Sequence, residues 1–200
     1  MKRIYWLLLL TLALSVSGFA NSVDFTNSGG TLSGSNAGLS LSSSTLIAVN
    51  GLNGMGLVTG NLGSVTLSTG SLSGSLTMGG TFAAGGSFVI TGNGTGGIPN
   101  TVIFNGSFSG PVTWTLVNLS NGTHEYTLSG ALTGTWFTGA TVNGATIQLT
   151  VPVGSGFFSG SATISSGDTN ISEVPEPGTI MLLGTGFIGL GWRLRSKVKK

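Results

Sequence analysis

Over most of this chain apolar side chains fall at alternate positions, in short runs parted by Gly, Ser, Asn or Pro. Val65-Thr66-Leu67-Ser68, Ser87-Phe88-Val89-Ile90-Thr91, Thr101-Val102-Ile103-Phe104 and Val112-Thr113-Trp114-Thr115-Leu116-Val117 show it, as do residues 145–151 and 161–164. Runs of this length with β-branched and aromatic residues on one face predict half-buried strands. No window before the C-terminal segment carries a 3.6-residue apolar period with caps, so the body reads as all-β. Asn121-Gly122, between residues 112–119 and 123–128, predicts a tight antiparallel hairpin with positive φ at both turn positions. From Phe82 onward the pattern predicts an antiparallel sandwich or a strongly twisted sheet. Residues 31–81 hold fewer aromatics and predict looser strands or solenoid-like coils, partly disordered. Gly-Ser strings recur after Leu32, Leu72, Phe108, Leu128 and Phe158, but at no fixed period, which argues against a regular solenoid.

The pattern changes at both ends. Lys2 and Arg3 precede an apolar run over residues 4–16, and Ser17-Gly18-Phe19-Ala20 supplies small residues for cleavage after Ala20. This is the layout of a secretory signal peptide, whose partners are the Sec translocon and signal peptidase. A cut after Ser22 obeys the same rule. At the other end, Pro175 and Pro177 hold Val174-Pro175-Glu176-Pro177 in extended geometry. An apolar stretch over residues 178–192 follows, then Arg193, Arg195, Lys197, Lys199 and Lys200. As a helix the stretch would extend about 22 Å, short of a ~30 Å hydrocarbon core. Trp192 sits where an interfacial aromatic belongs, and the cations would hold that end in the cytoplasm. A buried core helix does not fit five cations abutting the apolar run. A permanent anchor and a transient sorting span both do.

In motif, order and spacing, residues 174–200 resemble the PEP-CTERM sorting signal of exopolysaccharide-producing Gram-negative bacteria. The resemblance implies export and recognition of Val174, Pro175, Glu176 and Pro177 by an exosortase, a membrane transpeptidase-like enzyme. It also implies transient holding in the inner membrane, then residence at the cell surface or outside, in company with exopolysaccharide and biofilm matrix. It covers barely an eighth of the chain, and the body resembles no named family. The organisation read here is a signal peptide over 1–20, a Gly/Ser/Thr-rich body over 21–167, a linker over 168–173 and the sorting tail over 174–200.

Charge changes the picture again. The precursor has a net charge of +2, yet all seven Lys and Arg lie in residues 2–3 and 193–200. The five acids, Asp24, Glu125, Asp168, Glu173 and Glu176, all fall between those ends, so the processed body is acidic, near −5 or −4. Nucleic-acid binding needs a basic surface, and none remains. Residues 21–176 hold 30 Gly and 47 Ser or Thr, so hydroxyls must do the hydrating that charges usually do. There is no cysteine, hence no disulfide despite export.

Candidate chemistry is sparse. His124 and Glu125 are adjacent in a predicted strand, so their side chains diverge, and a zinc site wants three or four ligands. Two Gly-x-Gly-x-x-Gly strings begin at Gly92 and Gly184, but neither opens a helix after a strand as dinucleotide binding requires. Ser166-Gly167-Asp168-Thr169-Asn170 offers oxygen ligands with one carboxylate, too few for a calcium loop. Asn-x-Ser/Thr strings are frequent, as chance predicts in this composition, and sugars on the hydroxyls would aid solubility. The expectation is a non-enzymatic surface or matrix protein with no cofactor and no metal. Two alternatives stand beside it. One is a carbohydrate- or ice-binding module, with Trp114, Tyr126, Trp136 and Phe137 as candidate aromatics, and the other is a secreted hydrolase centred on His124.

Overall fold

The alternation resolves into thirteen strands in the computed structural model, which describes residues 21–173. The expected signal peptide with its Ala20 site, and the sorting tail with Val174, Pro175, Glu176, Pro177, the expected apolar span and the basic end, lie outside the described residues. In chain order the strands are β1 (Asn21–Ser28), β2 (Thr31–Ser35), β3 (Gly38–Asn50), β4 (Val58–Ser68), β5 (Leu72–Ser75), β6 (Gly79–Phe82) and β7 (Gly85–Gly92). β8 (Val102–Phe108), β9 (Val112–Asn118), β10 (His124–Trp136), β11 (Thr141–Gly154), β12 (Ser161–Thr163) and β13 (Ser166–Glu173) complete them.

Eight of these close on themselves. β1 pairs β3, and pairing continues through β4, β7, β8, β10, β11 and β13 back to β1, antiparallel at every step. Closure suits this sequence. A sheet with one apolar face and no helix to cover it can bury that face against itself, and a ring leaves no open edge. Phe25, Leu46, Leu67, Ile90, Leu132 and Leu149 point inward and are buried, while most of the residues beside them along the strands, such as Asp24, Thr26, Thr66, Thr91, Thr133 and Gln148, are polar and face outward. Apolar inside and polar outside is the reverse of a membrane-spanning barrel. Among the described residues no helix is long and apolar enough to cross a membrane, and the helical turns are short 3-10 segments at Leu52–Gly54 and Thr95–Gly97.

The remaining strands form two flaps. β2 folds back on β3 and pairs β12, while β9 pairs the first half of β10 and carries β6 and β5 outward. The flaps meet where Leu72 N–H donates to the Asn36 carbonyl at 2.9 Å. Beneath the second flap sits an aromatic cluster. Trp114 stacks on Tyr126 with centroids 4.7 Å apart and planes 10° off parallel, and Phe158 meets both edge-on. Trp114 Nε1 donates to the Leu76 carbonyl at 2.9 Å, and Tyr126 Oη donates to the Thr77 carbonyl at 2.7 Å. Each buried ring thus has its polar end satisfied, as burial demands.

Three expectations need correction. Residues 168–173, read as a linker, are the greater part of β13 and pair β1 on one side and β11 on the other. Residues 31–81 are neither solenoid-like nor loose, and every strand there pairs antiparallel. Local irregularity is absorbed by bulges in β3 and β4, where Gly63 at φ +147° lies so close to the partner strand that a Cβ would overlap the Thr91 carbonyl. The hairpin at Asn121-Gly122 does form, but only Gly122 has positive φ (+79°). Gly122 N–H donates to the Leu119 carbonyl (3.1 Å) and Leu119 N–H to the Thr123 carbonyl (2.9 Å), which makes a three-residue loop with a glycine bulge. The Asn121 side chain accepts from the Thr123 N–H at 3.0 Å instead of turning left-handed itself.

Candidate binding face

Strand register arranges the outward residues in rows that the linear sequence hides. One row crosses seven strands, with Ser73, Thr81, Thr113, Ser129, Gln148, Asp168 and Thr26 each opposite the next. At ~4.8 Å per strand it spans roughly 29 Å. On one side runs Thr115, Thr127, Thr150 and Ser166, and on the other Thr146, Asn170 and Asp24. Hydroxyls, amides and two carboxylates thus cover a continuous face.

That face is indented where β10 changes partners. β9 pairs residues 124–129 of β10 and β8 pairs residues 132–136, so Gly130 and Ala131 mark a fork in the sheet. The Ser109 N–H bridges the fork to the Ala131 carbonyl at 3.0 Å. Between the diverging β9 and the wall of β11, β13 and β1 lies an open groove of about 700 Å³. Pro111, Thr113 and Ser129 line one side, and Gln148, Asp168, Asn170 and Asp24 the other. The two acids are fixed by neutral donors. Asn170 Nδ2 donates to Asp24 and also to Ser22 Oγ (2.7 Å), while Thr26 Oγ1 donates to Asp168 at 2.9 Å. Residues 21–173 contain no Lys or Arg, so neither carboxylate has a cation beside it in the body.

His124 lies elsewhere, at the start of β10, stacked on Phe157 at 4.7 Å with planes 12° off parallel. Its Nδ1 is buried without a hydrogen-bond partner, and Glu125 lies opposite Val117 and Pro152 across the ladder. Among the described residues no three His, Cys, Asp or Glu side chains gather at one point. The candidate aromatics are not displayed: Trp114, Tyr126 and Trp136 are buried, and Phe137 packs partly buried against the core. Gly92 to Gly97 leads into a 3-10 turn and then β8, not into a helix.

Asp168 and Asn170 stood out in the sequence only as a weak calcium string, and their assembly with Asp24 and Gln148 escaped it because the groove draws on both ends of the body. Asp24 and Asn170 are 146 residues apart and meet only because β13 closes the barrel against β1. A usable signal was present: Asp24 and Asp168 each sit amid alternating apolar or small residues, at outward positions.

A β body ending flush against a C-terminal segment of Pro-Glu-Pro, apolar span and cations is the layout of an exported, sorted protein. The family described as PEP-CTERM protein-sorting motif matches residues 173–196, so the chain carries that motif at its C-terminus. The motif marks an exported protein with a membrane-associated sorting tail, processed by an exosortase. The match touches the barrel only at Glu173, the last residue of β13, and no other family is recognised there. No curated protein and no solved structure matches the chain.

Proposed function

We propose that the processed barrel is a non-enzymatic protein of the cell surface or extracellular matrix that associates with exopolysaccharide through its hydroxyl-rich face. The observation that carries the reading is the unbroken row from Ser73 to Thr26 on a body without a single cation. Such a face exchanges hydrogen bonds with polyhydroxylated chains as readily as with water, and repeated weak contacts add up along a polymer. A signal peptide, with the Sec translocon and signal peptidase as partners, delivers it. Exosortase then acts at Val174, Pro175, Glu176 and Pro177.

Terminal-peptide mass spectrometry on protein from its own cells, fractionated with the extracellular polysaccharide, tests this. The expected product begins near Asn21 or Val23, ends between Pro175 and Gly178, and leaves the matrix fraction when polysaccharide is digested. A product still ending at Lys200 in the inner membrane would overturn the sorting part. Release of shorter sugars by the purified protein would replace the binder with an enzyme.

The cross-strand rows also favour a second reading, in which ordered water is the ligand and the face binds ice. Faceted ice crystals grown in its presence would support that, and rounded crystals would dismiss it.

A further inference from the structure

We propose that the groove at the β10 fork is a saccharide subsite that takes a neutral, polyhydroxylated sugar of the exopolysaccharide. The proposal rests on the polysaccharide association above and assigns it a place. A volume of about 700 Å³ lies within the usual ~300–1,000 Å³ of small-ligand sites, enough for one or two pyranose rings. The lining is matched to hydroxyls in both senses. Asp24 and Asp168 accept, Ser129 and Thr113 donate or accept, and the Gln148 amide does both, whereas both Asn170 Nδ2 hydrogens are already given to Asp24 and Ser22.

The carboxylates are the discriminating feature. Each uses one oxygen for an internal donor, Asn170 for Asp24 and Thr26 for Asp168, which fixes its orientation before any ligand arrives. No hydrogen bond among the described residues engages the second oxygen of either, which leaves it to accept from a sugar hydroxyl, a contact stronger than a neutral pair. The two acids sit diagonally across the β1–β13 pair, about 7 Å apart at Cα, a spacing that neighbouring hydroxyls on one ring can bridge. Uronate, sulfate or phosphate groups would meet two negative charges and no cation. Flat apolar stacking is absent as well, because the large rings near this face are turned into the core. Selectivity therefore comes from hydrogen bonding, and the sugar is neutral.

The test is titration calorimetry on the processed protein purified from its own cells, with neutral oligosaccharides cut from the exopolysaccharide and acidic ones of equal length. The expected result is binding of the neutral set at an affinity that changes less than about twofold between low and high salt. Asp168→Asn with Gln148→Ala should weaken it by tenfold or more. Thr146→Arg, at an exposed position in the groove, should do the same by obstruction. Thr66→Ala, on the outward face of β4, should leave it unchanged. Binding of whole exopolysaccharide that survives every groove variant overturns the subsite and leaves the proposed association standing. Absence of all polysaccharide binding by the unmodified protein removes both. Preference for acidic sugars, or binding abolished by chelators, overturns the neutral class.

Discussion

The two halves of the barrel build the same wall from different material. β1 to β7 are lined chiefly by aliphatic side chains such as Leu32, Leu41, Leu46, Val65 and Leu67, on strands interrupted by bulges and close-lying glycines. From β8 to β13 come the buried rings of Phe104, Trp114, Tyr126, Trp136 and Phe158, and the polar atoms of Trp114 and Tyr126 tie into the β5–β6 flap. Both halves reach the same near-complete burial of their inward positions. Aromatic content, then, is not what makes a strand of this wall. Alternation is enough even when bulges break it, provided glycine lets the backbone close where side chains are small.

The difference predicts a graded response to substitution. Trp114→Ala should be the most damaging, costing about 3–5 kcal/mol, because it empties the centre of the ring cluster and strands the Leu76 carbonyl. Urea unfolding followed by Tyr and Trp fluorescence reads it. Leu41→Ala, on the aliphatic side, should cost about 3 kcal/mol. If both variants unfold in single, coincident transitions the halves are one cooperative unit, whereas a separate early transition in Leu41→Ala would divide them. Gly63→Ala should cost about 2 kcal/mol through left-handed strain and the Thr91 carbonyl, equivalent to a fall of roughly 4–8 °C in Tm. A neutral effect there would show that the bulge is pliable. Smallest is Thr169→Val, expected to gain about 1 kcal/mol, since the buried Thr169 hydroxyl has no partner and the two side chains have the same shape. A loss instead would mean that this hydroxyl is satisfied within the barrel.

Most strands were legible because their alternation is local. Val65 to Ser68, Ser87 to Thr91 and Val112 to Val117 all fall within strands. β13 was not, because its inward positions are Gly167, Thr169 and Ile171, of which only one is apolar. A hydroxyl facing inward looks, in sequence, like a solvated linker. Closure was also hidden, since it depends on pairing residue 21 with residue 173, and no local signal reports so distant a register. The groove inherits that blindness. Its chemistry was in view in the composition, but not the geometry that assembles it. His124, which the sequence made conspicuous, proved to be a stacking partner for Phe157.

Asn21 and Glu173 stand opposite each other in the β1–β13 ladder, so the chain enters and leaves the barrel about 5 Å apart. A body with such neighbouring ends is a cassette: it could be spliced into a surface loop of an unrelated host without prising that loop open. Its own ends could equally be sewn together and the chain reopened between Asn121 and Gly122, at an exposed turn, with the same wall drawn from a new starting point.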